Sequence, residues 1–88
     1  MYTYRPRGVC SRAINIELDG ERISHVDFEG GCAGNLQAIS KLVSGMTVDE
    51  VAGLLEGNRC GRRPTSCTDQ LAHGLRAARA EAQAAASA

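Results

Sequence analysis

Four cysteines, Cys10, Cys32, Cys60 and Cys67, are spread along a chain that has little else to hold it together. With 88 residues, no Trp, one Phe and two Tyr, the interior must be built mainly of Leu, Ile, Val and Ala. A core of that size is marginal by itself, and domains this small are commonly stapled by disulfides or a structural metal. The length predicts one domain over residues 1–88.

Lys and Arg number 10, and so do Asp and Glu, so the formal net charge is zero. That argues against nonspecific nucleic-acid binding as the main activity. The first residues, Met1-Tyr-Thr-Tyr-Arg-Pro-Arg7, lack the apolar run of a signal peptide. No stretch reaches the roughly 18 apolar residues of a membrane span. These features predict a cytoplasmic protein with no membrane partner. Cytoplasmic thiols are kept reduced, which favours metal or redox chemistry over structural disulfides.

The pattern predicts a strand-rich first third and a helical remainder. Residues 9–18 alternate, with Cys10, Ile14, Ile16 and Leu18 on one face. Asp19-Gly20 is a hairpin turn signal, and residues 22–29 follow with Val26 and Phe28 on one face. A two-residue turn would set even positions against odd ones. A three-residue loop with left-handed Gly20 restores even-to-even pairing and is the expected turn. A short extra strand is expected around Tyr2–Tyr4. A helix is expected over 35–44, with Leu36, Ile39, Leu42 and Val43 inward and Gly45 as its stop. Thr47-Val-Asp-Glu50 is a capping box opening a second helix to Glu56, with Val48, Val51, Leu54 and Leu55 inward, before Gly57. Thr65 or Ser66 caps a last helix carrying Leu71 and Leu75. Its Ala-rich end, 79–88, has little to bury and is expected to fray. The predicted class is α+β: an antiparallel hairpin or small three-stranded sheet, then three helices.

The cysteines are separated by 21, 27 and 6 residues, and none forms a Cys-x-x-Cys pair. Their positions say more than their spacing. Cys32 lies in a glycine-rich turn entering a helix, Cys60 in a glycine-flanked loop, and Cys67 in the first turn of a helix. Helix starts favour anions, and metal ligation needs the thiolate. Four thiolates suit tetrahedral zinc, and equally an iron–sulfur cluster. Other arrangements stay open: Cys10 as ordinary core filler, or two disulfides in one of three pairings. His25 is a spare ligand at most, and His73 is expected at the surface. Arg59, Arg62 and Arg63 flank Cys60, where they can offset a negative metal centre, contact a phosphate or carboxylate, or stand simply in water.

The runs Phe28-Glu-Gly-Gly-Cys-Ala-Gly-Asn-Leu-Gln-Ala-Ile-Ser-Lys-Leu-Val-Ser-Gly45 and Cys60-Gly-Arg-Arg-Pro-Thr-Ser-Cys-Thr-Asp-Gln-Leu-Ala72 resemble the TSCPD domain, in particular its small stand-alone, four-cysteine type. The resemblance covers roughly residues 4–78. Thr68 stands where the family's namesake motif has Pro. The family is similar to a domain at the C-terminus of some ribonucleotide reductases, notably cobalamin-dependent ones. That implies a link to deoxynucleotide synthesis and a reductase as partner, without catalysis by a chain too short for the radical-bearing barrel. A fainter resemblance, in element order and in the settings of Cys32 and Cys67, is to the U-type iron–sulfur cluster scaffold proteins. Their acidic and His ligands have no clear counterpart here.

Four functions follow as expectations. The first is a zinc-binding accessory module with Cys10, Cys32, Cys60 and Cys67 as ligands. The second is an iron–sulfur protein or scaffold. The third is a thiol redox partner of a reductase, with Cys60 and Cys67 as the pair. The fourth is nucleotide or nucleic-acid binding through Arg59, Arg62 and Arg63. A homodimer through the outer side of the two short helices is compatible with each.

Overall fold

Strand alternation at the front of the chain and glycine-punctuated helical stripes behind it give a three-stranded sheet and three helices. The structure, a computed structural model, describes residues 2–9, 11–30, 33–59 and 65–87. In chain order the elements are β1 (Tyr2–Tyr4), β2 (Ser11–Asp19), β3 (Arg22–Gly30), α1 (Ala33–Val43), α2 (Val48–Leu55) and α3 (Cys67–Ser87). The sheet is antiparallel in the order β1-β2-β3, so the expected α+β class and the short first strand are both present.

The even-to-even hairpin pairing is also present: Ile14 faces Phe28 and Ile16 faces Val26. Its mechanism differs from the expected three-residue loop. Asp19 pairs with Arg22 across a two-residue turn, and the inserted residue is Ser24, where the register shifts between the Glu17–His25 and Leu18–Ile23 pairs. Gly20 takes the positive φ of 63° that the turn needs. The bulge has a packing reason. It lets an odd-numbered residue, Ile23, and an even-numbered one, Val26, both enter the core. Beyond the bulge, the outer edge of β3 at Ile23 is capped by the segment joining α1 and α2. The Ile23 amide donates to Met46 O at 2.8 Å, and the Gly45 amide donates to Ile23 O at 2.7 Å.

A second register shift, between Ser11 and Ala13, resets the alternation of β2. The even-numbered buried face therefore does not continue to the strand's beginning. Arg12 is exposed, whereas Ser11 and Ala13 are buried. Cys10, expected on that even face, lies outside the described residues.

α1 packs on β3, α3 packs on β1 and β2, and α2 packs on α3. The core is Ile14, Ile16, Ile23, Val26, Val43, Val48, Val51, Leu71, Leu75 and Ala78. Two leucines expected inside are outside: Leu42 is 70% exposed and Leu54 73%. The helical period explains both. The buried stripes are Leu36, Ile39 and Val43 on α1, and Val48, Val51, Ala52 and Leu55 on α2. At 3.6 residues per turn, Leu42 and Leu54 fall about a quarter turn from the centre of each stripe. α3 is helical through Ser87, and from Ala80 to Ala85 its residues are exposed. No described helix is long and apolar enough to cross a membrane.

Candidate functional site

The start of α3 is where the chain's polar side chains gather. Ser66 caps the helix: its Oγ accepts the Asp69 amide at 3.1 Å and donates to Asn58 O at 2.5 Å. Asn58 Nδ2 in turn donates to Thr68 Oγ1 at 2.8 Å. Thr68, the residue that departs from the expected Pro, thus supplies an acceptor that Pro lacks. Asp69, only 6% exposed, accepts the Gly57 amide at 2.7 Å and the hydroxyl of Thr65. Gly57 has φ of 86°, a left-handed turn that closes α2 and allows its amide to reach Asp69.

These contacts determine the charge of Asp69. The Thr65 hydroxyl, then the Gly57 amide, hold its carboxyl below the ordinary value of 3.8, with nearby His73 adding to the effect, while burial opposes them. His73 Nε2 lies 3.5 Å from Asp69 Oδ1, and the imidazole is on the surface as expected. Gln70 links the cluster to the beginning of the chain. Its Oε1 accepts the Arg7 amide at 3.1 Å and the Tyr4 hydroxyl at 3.5 Å, and its Nε2 donates to Thr65 Oγ1 at 3.1 Å.

Cys67 occupies the first turn of α3, as the pattern predicted, and is partly exposed. Ser11, 4% exposed at the beginning of β2, donates its hydroxyl to Cys67 Sγ at 3.1 Å. Ser11 also pairs with Gly30 at the end of β3. The start of β2, the end of β3, the exit of α2 and the start of α3 therefore share one corner of the molecule. Cys10, Cys32, Cys60, Arg62 and Arg63 lie outside the described residues. Among the described residues, no three His, Cys, Asp or Glu side chains group as a metal site. Arg59 is exposed beside Asn58, and His25 is exposed on β3, away from the core.

Sequence reasoning named Cys67 and the cap but not Ser11, Asn58 or Gln70. None of the three carries a local signal. Each acquires its role only when segments 8 to 66 residues apart meet. A cavity of about 450 Å3 between β3 and α1, lined by Val26, Phe28, Leu36 and Lys41 among others, does not include Cys67.

No curated protein and no solved structure matches the chain, and the expected resemblance to U-type scaffolds is not confirmed. A family model for the TSCPD domain matches residues 2–79 of the 88. The residues at the start of α3, Thr65-Ser-Cys-Thr-Asp69, are that motif with one substitution, and the chain belongs to the TSCPD domain family.

Proposed function

We propose that this domain is a metal-binding accessory module in which Cys10, Cys32, Cys60 and Cys67 hold one zinc ion, and that it serves a ribonucleotide reductase. The single observation that carries the reading is the shared corner at the start of α3. Ser11, which touches Cys67, directly follows Cys10 in sequence and pairs with Gly30, two residues before Cys32. Asn58, bonded to Ser66 and Thr68, stands two residues before Cys60. Each residue of chain reaches about 3.8 Å between Cα atoms. In sequence, Cys10 and Cys32 thus stand one and two residues from the Ser11–Gly30 pair, and Cys60 two residues from Asn58.

The donor chemistry fits. Cysteine sulfur is a favoured zinc ligand, and Cys67 is partly exposed at the start of α3. Bound by four thiolates, zinc would have no open position and would act structurally, holding together segments that a small core leaves loosely joined. The link to a reductase rests on the family's similarity to a domain appended to such enzymes.

The test is elemental analysis of protein purified anaerobically from cells given no added metal. About one zinc per chain, reduced strongly in Cys67→Ser, is the expected result. Iron with acid-labile sulfide and visible absorbance would replace zinc with an iron–sulfur cluster. Absence of any stoichiometric metal would overturn the reading.

A further inference from the structure

We infer that the groove between the outer edge of β3 and α1 takes an extended segment of a partner protein as an added strand, one in which basic and apolar residues alternate. Three features meet there: an unpaired strand edge, a cavity, and two carboxylates without a counter-ion. The inference stands apart from the proposed metal site and does not depend on it.

β3 is an edge strand, paired with β2 alone. At its beginning the chain extends the sheet by itself. Ile23 exchanges backbone bonds with Gly45 and Met46, and Arg22 bridges Thr47. That pairing ends at Ser24, whose carbonyl accepts the Ser44 hydroxyl at 3.2 Å. From residue 25 to residue 29, no described residue bonds to the outer backbone of β3. Such an edge is a template for another strand, and natural proteins normally cover it or keep it short. β1, at the opposite edge, has three residues, whereas β3 has nine.

The cavity of about 450 Å3 runs beside this free stretch. α1 begins three residues after β3 ends, and the chain just past its far end returns to Ser24, so the helix lies along the strand. Val26, Phe28 and Leu36 give the groove an apolar floor, and Gln37 and Lys41 stand at its exposed rim. A segment laid along the edge would put alternate side chains on that floor and the others in solvent.

Charge selects the occupant. Asp27 and Glu29 alternate with Val26 and Phe28 and are exposed on the side of the sheet away from the core. Neither is in an ion pair among the described residues, and Glu29 accepts only the neutral Asn15 amide, at 2.8 Å. Across a strand pair, opposite charges stabilise and like charges repel. A second copy of β3 would bring these carboxylates against their own kind. An added strand with Arg or Lys on the solvent side would neutralise them.

The test is an NMR titration of the isotope-labelled full chain with a blocked peptide of alternating arginine and valine. At roughly 3.3 Å per residue, about six residues span the free edge. The amides of residues 26–29, Gln37 and Lys41 should shift together to saturation. The double variant Asp27→Lys, Glu29→Lys changes exposed side chains only, and its circular dichroism should match wild type. It should bind this peptide at least about 5-fold more weakly, and bind a glutamate–valine peptide more tightly than wild type does. The arginine–valine peptide with every backbone nitrogen methylated cannot donate to the edge and should not bind. Wild type that fails to bind, shifts that avoid the groove, equal binding of the methylated peptide, or an unchanged charge preference in the double variant would each overturn the inference. Concentration-dependent shifts of the same amides without peptide would overturn it too, by assigning the edge to a second copy.

Discussion

Asp69 keeps a carboxylate almost wholly inside the protein because the Thr65 hydroxyl and the Gly57 amide donate to it. Its acidity is raised in the folded state, so it releases its proton more readily folded than unfolded. The sign for stability follows by linkage. The contribution is complete above the ordinary carboxylate value of 3.8 and is lost as pH falls through the lower folded value. Urea midpoints measured from pH 7 downward should therefore drop in the acid range for wild type and drop less for Asp69→Asn. At pH 7 that variant should be less stable by about 1.5–3 kcal/mol, the range for hydrogen bonds to a charged group. Ser66 acts beside it, both capping α3 and holding Asn58, and Ser66→Ala should cost about 1–2 kcal/mol in the same assay. Equal pH profiles for wild type and Asp69→Asn would remove the role assigned to the buried charge.

Elements differ in how much of them the sequence alone discloses. The Thr47–Glu50 capping box is local, and it forms as read: Glu50 N donates to Thr47 Oγ1 at 3.1 Å, and Thr47 N donates to Glu50 Oε1 at 3.0 Å. The hairpin phase was legible because Ile14, Ile16, Val26 and Phe28 must share a face. The position of the bulge at Ser24 was not, because it depends on the α1–α2 segment pairing with Ile23. Burial of Ser11 was hidden for the same reason, since an interrupted strand looks continuous in sequence. Close packing of α3 on the sheet is equally non-local. A Cβ at Gly74 would lie 3.0 Å from Tyr4 Cγ and 3.1 Å from Ile16 Cδ1. Gly74→Ala would gain up to about 1 kcal/mol in helix propensity but lose about 1–3 kcal/mol by overpacking. Thermal or urea unfolding should show net destabilisation, and a more stable Gly74→Ala would contradict the packing described. On α2, Leu54→Ala should change stability by no more than about 0.5 kcal/mol. Leu71→Ala, in the core, should cost about 2–5 kcal/mol.

Across the whole molecule, one sheet face and three helices enclose a core without large aromatic side chains. Arg76 reaches Glu56 at 2.6 Å and Arg79 reaches Asp49 at 2.5 Å, tying α3 to α2, but such surface pairs add little. What stands out is the corner shared by the start of β2, the end of β3, the exit of α2 and the start of α3, which carries Cys67. On the proposed function, a metal bound by the four cysteines contributes a large part of the folding energy. Cys67→Ser should then melt well below wild type and no longer respond to chelator. The most direct test is thermal unfolding of the wild-type protein, followed by circular dichroism, with and without a zinc chelator. Chelation is expected to lower the melting temperature by at least about 10 °C, roughly what the loss of 2 kcal/mol brings in a domain of this size, and added zinc to reverse the fall. A melting curve that chelation leaves unchanged would contradict that expectation.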